Sequence, residues 1–150
     1  MGCPGSAGPP GQGMIPAVDM RLEVVVVPVS DVDRAKHFYS EQCGFALDVD
    51  RQMGEGFRVV QLTPPGSACS ITIGTGLAAM EPGSLKGLQL VVADIEAARA
   101  QLAGGGVTIS EVVHFEEGGQ RPGPGGDWNS FCFFDDPDGN SWAVQQAPAR

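Results

Sequence analysis

Two hydrophobic periods alternate along this chain, and the same succession of periods occurs twice. Leu22 to Val29 is a mostly β-branched apolar run, the mark of a buried strand. Ser30 or Asp31 then caps a helix with an acidic first turn. In that helix Val32, Ala35, Phe38 and Tyr39 share one apolar face, while Asp33, Arg34, His37 and Glu41 fall on the other. Phe45–Val49, Phe57–Leu62 and Ser70–Ile73 read as three further strands, parted by turn residues such as Pro64-Pro65-Gly66. The pattern then returns. Leu88–Val92 is a strand, Ile95 to Leu102 a helix stopped by Gly104-Gly105-Gly106, and Val107–Val113, Ser130–Phe134 and Ser141–Gln145 are strands. Between the last of these strands Glu116 to Trp128 reads as one long loop, with Pro122-Gly123-Pro124-Gly125 inside it. A loop of that length in a small domain is a lid, a binding loop or disordered.

The return is a true internal repeat. Val27-Pro28-Val29-Ser30-Asp31-Val32-Asp33-Arg34-Ala35-Lys36 matches Leu90-Val91-Val92-Ala93-Asp94-Ile95-Glu96-Ala97-Ala98-Arg99 in residue class, with Asp94 standing 63 residues after Asp31. A period this long means two structural modules in one chain. The pattern divides it into a Gly/Pro-rich tail over 1–19, a first β-α-β-β-β module over 20–83 and a second over 84–150, all within one structural domain of 150 residues. The tail is either flexible or an overextended start, with Met14 or Met20 as the alternative initiators. It has no Lys or Arg before Arg21 and no apolar core, so it is not a secretory signal.

Charge narrows the partners. A net charge of −9 argues against nucleic acid and against an anionic membrane surface. No apolar run approaches the ~20 residues of a membrane span. Cys3, Cys43, Cys69 and Cys132 form no C-x-x-C and no disulfide or metal spacing, which points to a reducing cytoplasm.

Two motifs invite readings that the physics refuses. Asp136-Pro137-Asp138-Gly139-Asn140 is not a calcium loop, since the twelfth position from Asp136 is Ala147 rather than Glu; Pro-Asp-Gly here is a turn. Gly74-Thr75-Gly76-Leu77-Ala78-Ala79 is not a dinucleotide fingerprint, since Pro82 ends any helix after it.

The run Val29-Ser30-Asp31-Val32-Asp33-Arg34-Ala35-Lys36-His37-Phe38-Tyr39, the following Gly44-Phe45 and the late Asp136-Pro137-Asp138-Gly139-Asn140 together resemble the vicinal oxygen chelate superfamily, over about residues 20–147. That superfamily contains glyoxalase I, extradiol dioxygenases, fosfomycin-resistance proteins and bleomycin-binding proteins. The resemblance implies an α+β fold in which two β-α-β-β-β modules curl into an incomplete barrel around a cavity. It also implies a divalent cation in catalytic members, held by His, Glu or Gln from the first and last strand of each module. Carried over by spacing from Asp31, Asp94, Asn140 and Gly66, those positions are Val24, Gly87, Ala143 and Ser70. Three carry no donor and a lone Ser hydroxyl is a poor ligand. The expectation is therefore no metal and no cofactor.

The resemblance to the bleomycin-resistance-like members, which work within a homodimer, then implies a metal-independent protein that binds a small apolar or aromatic molecule. Strand alternation sets Gln89 and Gln145 on the concave face with the positions of Gly87 and Ala143, and Trp128 and Phe133 supply aromatic surface. The alternative is a glyoxalase-like lyase or isomerase, metal-free or with a relocated metal. His114 with Glu116 is then the candidate base, and a strand-end histidine facing water is the plain counter-reading.

Overall fold

The computed structural model describes residues 17–77 and 79–148, so residues 1–16 of the expected tail lie outside the described residues. Two open sheets carry the architecture. In the first, β1 (Val24–Val26), β2 (Ala46–Gln52), β3 (Arg58–Thr63) and β4 (Ser70–Thr75) lie in the order β1-β4-β3-β2. In the second, β5 (Leu88–Val92), β6 (Val113–Glu116), β7 (Gly119–Pro122), β8 (Phe131–Asp135) and β9 (Ser141–Gln146) lie in the order β5-β9-β8-β6-β7. Each sheet sets its first strand parallel to its last, β1 beside β4 and β5 beside β9. The fold is the α+β, twice-repeated arrangement that the sequence pattern predicts. The two sheets stay separate and neither closes into a barrel.

The helices show the repeat at atomic detail. α1 (Val32–His37) is capped by Asp31 and α2 (Ile95–Gly104) by Asp94. Both caps are extended, and each carboxylate accepts the N–H three residues on, Arg34 and Ala97 respectively, at 3.0 Å. α1 then widens into a π turn over Phe38–Gln42, where the Cys43 N–H reaches back to the Phe38 carbonyl. The wider turn lets the consecutive residues Phe38 and Tyr39 both face the core.

One core joins the modules. Phe38 meets Phe134, and Tyr39 and Phe45 both meet Trp142, with ring centroids 5.7–6.2 Å apart. The Asp136–Asn140 turn sits at this seam. Asp136 accepts the N–H groups of Asp138 and Asn140 at one oxygen, and the Tyr39 hydroxyl and the Asn140 amide at the other. Asn140 also donates to the Pro28 carbonyl. The turn reading of this motif therefore holds, and the turn is a latch between modules. Burial and the Asp136 charge push the Tyr39 phenol far above its ordinary range.

Three expectations need correction. The first strand is shorter than Leu22–Val29 because Pro28 has no N–H to extend the ladder. Val107–Val113 is not one strand: before Val113 opens β6, only Ile109 bridges Phe134, and the Ser110 hydroxyl takes the Phe133 N–H in place of a backbone carbonyl. Glu116–Trp128 is not one loop. Its first half is the hairpin of β6 and β7, and β7 is an exposed edge strand of Gly, Gln, Arg and Pro. Such a composition has low strand propensity and is tolerated only at a sheet edge. No helix among the described residues is long and apolar enough to cross a membrane.

Candidate functional site

Strand alternation sorts the aromatics of β8. Cys132 and Phe134 turn into the core, while Phe131 and Phe133 turn to the opposite face of the sheet. On that face the Phe131 and Phe133 rings are parallel with centroids 6.2 Å apart, and Phe115 of β6 stands edge-on to Phe131 at 5.4 Å. Phe115 is 44% and Phe133 36% exposed. The pairing Phe133–Ala143–Gln89 forms one row across β8, β9 and β5, and Phe131–Gln145–Val91 forms the next.

Gln89 and Gln145, singled out from sequence, meet here. The Gln89 amide donates to the Gln145 side-chain carbonyl, and the Gln145 amide donates to the Trp128 carbonyl at 2.8 Å. Trp128 thus stands at the rim of this face, tied by its backbone, with its side chain 46% exposed and no ring partner among the described residues. It is also the one non-glycine described residue with positive φ, at 59°. Left-handed backbone costs an L-residue roughly 1–2 kcal/mol, so the surrounding contacts impose it. Asn129 supplies them: its side chain accepts the Phe115 N–H and donates to the Phe115 carbonyl, both at 2.9 Å, as a strand neighbour would. Gly125 packs so closely that a Cβ there would meet His114 Cβ at 2.8 Å.

The sequence reading reached Gln89, Gln145, Phe133 and Trp128 but not Phe115 or Phe131. Phe131 follows from alternation with Phe133. Phe115 does not, because it joins this face only through the β6–β7 hairpin.

His114 alternates with Phe115 on β6 and so points away from the aromatic face. Its Nδ1 faces the Gly123 carbonyl at 2.8 Å and its Nε2 the Glu116 carboxylate at 2.7 Å. Those acceptors, Glu116 first, raise its pKa, while Arg121 across the hairpin opposes them. The pair the sequence offered as a base is therefore close together but turned to the other side of the sheet. His37 lies exposed on α1.

A cavity of about 420 Å³ opens beside the free edge of β5, between the Pro64–Ser67 turn and α2, over Cys43 and Phe45. Gln89 and Val91 line it, so it adjoins the aromatic face at the glutamine pair. Burial pushes the Cys43 thiol up to about 12, with the Asp136 charge adding, so this cysteine is a packed hydrophobe rather than a nucleophile. A second cavity, about 240 Å³, lies between the end of β1 and the connection after β4, near Leu77 and Met80.

The four residues that the resemblance sets at the cation positions do not fit a cation. Val24 pairs with Ser70, whose hydroxyl already bonds Thr63 at 2.6 Å. Gly87 stands beside Ser141, bonded to its hydroxyl, and Ala143 lies one row further, opposite Gln89. The four positions therefore do not even occupy matching rows of the two sheets. Among the described residues no three His, Cys, Asp or Glu side chains come together as a metal site.

Comparisons with known proteins give the family of the chain. The family model of the Glyoxalase/Bleomycin resistance protein/Dioxygenase superfamily matches residues 21–144, and the chain belongs to that superfamily. Among solved structures it is similar to TnmS3, an antibiotic binding protein from Streptomyces sp. CB03234, at 33% identity and TM-score 0.70, covering 88% of this chain and 99% of that one. A glyoxalase/bleomycin resistance protein from the same organism is 35% identical at TM-score 0.66, covering 84% and 100% of the two chains. A superfamily member from Sphaerobacter thermophilus DSM 20745 is 27% identical at TM-score 0.67, covering 85% and 98%. A comparison with curated protein sequences gives no match.

Proposed function

We propose that this protein binds and sequesters a small apolar or aromatic molecule without a metal, on the exposed face of the second sheet. The observation that carries the reading is the row of Phe115, Phe131 and Phe133 beside the hydrogen-bonded pair Gln89–Gln145. Flat rings supply contact area at low entropic cost, and a few fixed amides orient what lies on them. The antibiotic-binding relative supports a small-molecule ligand. Trp128 covers the ligand from the rim. The acid–base pair suggested by the sequence, His114 and Glu116, lies on the opposite side of the sheet from these rings.

The working unit is a homodimer. Val24, Leu47, Val49 and Phe57 leave apolar surface open on the first sheet, and a partner covering such surface completes half-built sites. We place the protein in the cytoplasm, in keeping with Cys43, Cys69 and Cys132 all being unpaired thiols. Titrating planar aromatic compounds while following tryptophan emission tests the reading. Trp128→Phe and Trp142→Phe assign the signal, and saturable quenching through Trp128 is the expected result.

A further inference from the structure

Ala143 is the small residue of its row. Its neighbours across the sheet are Phe133 on β8 and Gln89 on β5. Two strand spacings separate those neighbours, about 10 Å between backbones. The Ala143 methyl therefore leaves a notch, walled by a phenylalanine ring on one side and an amide on the other.

Donor and acceptor counting says what the notch meets. Gln89 uses one amide N–H on Gln145, and Gln145 uses one on the Trp128 carbonyl. Each amide nitrogen has two N–H donors, so one remains on each, together with the Gln89 carbonyl oxygen, which takes no hydrogen bond among the described residues. The notch thus has an apolar floor, an aromatic wall and, at its other wall, donors beside an acceptor. A planar fused ring whose edge carries a carbonyl next to an N–H or O–H matches all three.

We infer that Ala143 is the floor of the binding notch and sets the width of the ring that fits. The notch takes planar fused-ring compounds bearing adjacent hydrogen-bond acceptor and donor groups. This inference rests on the small-molecule reading above and goes beyond it by assigning the floor residue and the ligand class. It requires no chemistry of bond making, only shape and hydrogen bonding.

Two lactam probes, each with its C=O and N–H adjacent, test it: bicyclic 2-quinolone and tricyclic phenanthridinone, titrated into the full chain and followed by tryptophan quenching. Ala143→Leu is expected to weaken phenanthridinone about tenfold or more. Ala143→Val, well suited to a strand, repeats the test where the leucine variant folds poorly, and it should weaken phenanthridinone more than 2-quinolone. Circular dichroism confirms folding of each variant. If both probes bind the original chain and the Leu and Val variants bind them equally well, the floor assignment is overturned while the sequestering reading stands. If neither probe nor any other planar aromatic quenches the original chain, the reading and the floor assignment are overturned together.

Discussion

The Tyr39 hydroxyl donates to the Asp136 carboxylate at 2.7 Å, a bond between the helix of the first module and the last turn of the second. The same hydroxyl oxygen accepts the Trp142 indole N–H at 3.0 Å. Tyr39 and Asp136 are both buried, so this contact is sheltered from water. Buried donors and acceptors left without partners cost more than the bonds themselves contribute.

Tyr39→Phe removes one donor to Asp136 and the acceptor of Trp142 at once. It should destabilise the protein by about 1–3 kcal/mol. Urea unfolding should show a lower midpoint with an unchanged slope. Ligand affinity, measured on the folded variant, should not move, because the latch lies in the core and not on the aromatic face. An unchanged midpoint would mean that water or a shifted neighbour replaces the phenol.

Trp128 separates stability from binding. Its left-handed backbone favours glycine, and its side chain is half exposed. Trp128→Gly should therefore leave stability unchanged or raise it by about 1 kcal/mol, while weakening an aromatic ligand. A variant that is clearly less stable and binds as before would make Trp128 a staple for its loop rather than a cover for the site.

How far these features are legible in the sequence differs by residue. Asp31 and Asp94 announce themselves as caps because an acidic residue precedes each apolar helical period. The Pro137-Asp138-Gly139 turn is legible for the same local reason. Gln89, Gln145 and Phe133 follow from strand period alone. The β6–β7 hairpin is not legible, since nothing in Gly119–Pro122 favours a strand except the neighbour it pairs with. The Tyr39–Asp136 bond spans 97 residues and depends on the π turn, which no local pattern signals.

His114 should give the Gly123–Asn129 segment a pH dependence. Both ring nitrogens face acceptors, which only the protonated ring can satisfy together. Its folded pKa is raised, so the contribution is fully present below the ordinary imidazole pKa and is lost as pH rises through the folded value. Hydrogen exchange over this segment, corrected for intrinsic rates, should show more protection at about pH 5.5 than at about pH 8.5. In His114→Gln the difference should vanish. Greater protection at the higher pH would contradict the doubly bonded, protonated ring.

Asp50 sets the acid limb. Hydrogen bonds from Arg58 and then Lys36 hold its carboxyl down at about 2. Its contribution is present above the ordinary carboxylate pKa, ~4, and is lost as pH falls toward the folded value. Urea unfolding of the original chain and Asp50→Asn should differ at neutral pH and converge on acidification. A gap that persists below that window would assign the effect to something other than the charge.

The central claim is binding without a metal, and the most direct measurement is the phenanthridinone affinity of protein dialysed exhaustively against EDTA and then freed of chelator. The affinity should stay within about twofold of the undialysed protein, with elemental analysis finding no stoichiometric Zn, Ni, Mn or Fe. Loss of binding on dialysis, restored by one equivalent of any of these ions, would contradict it.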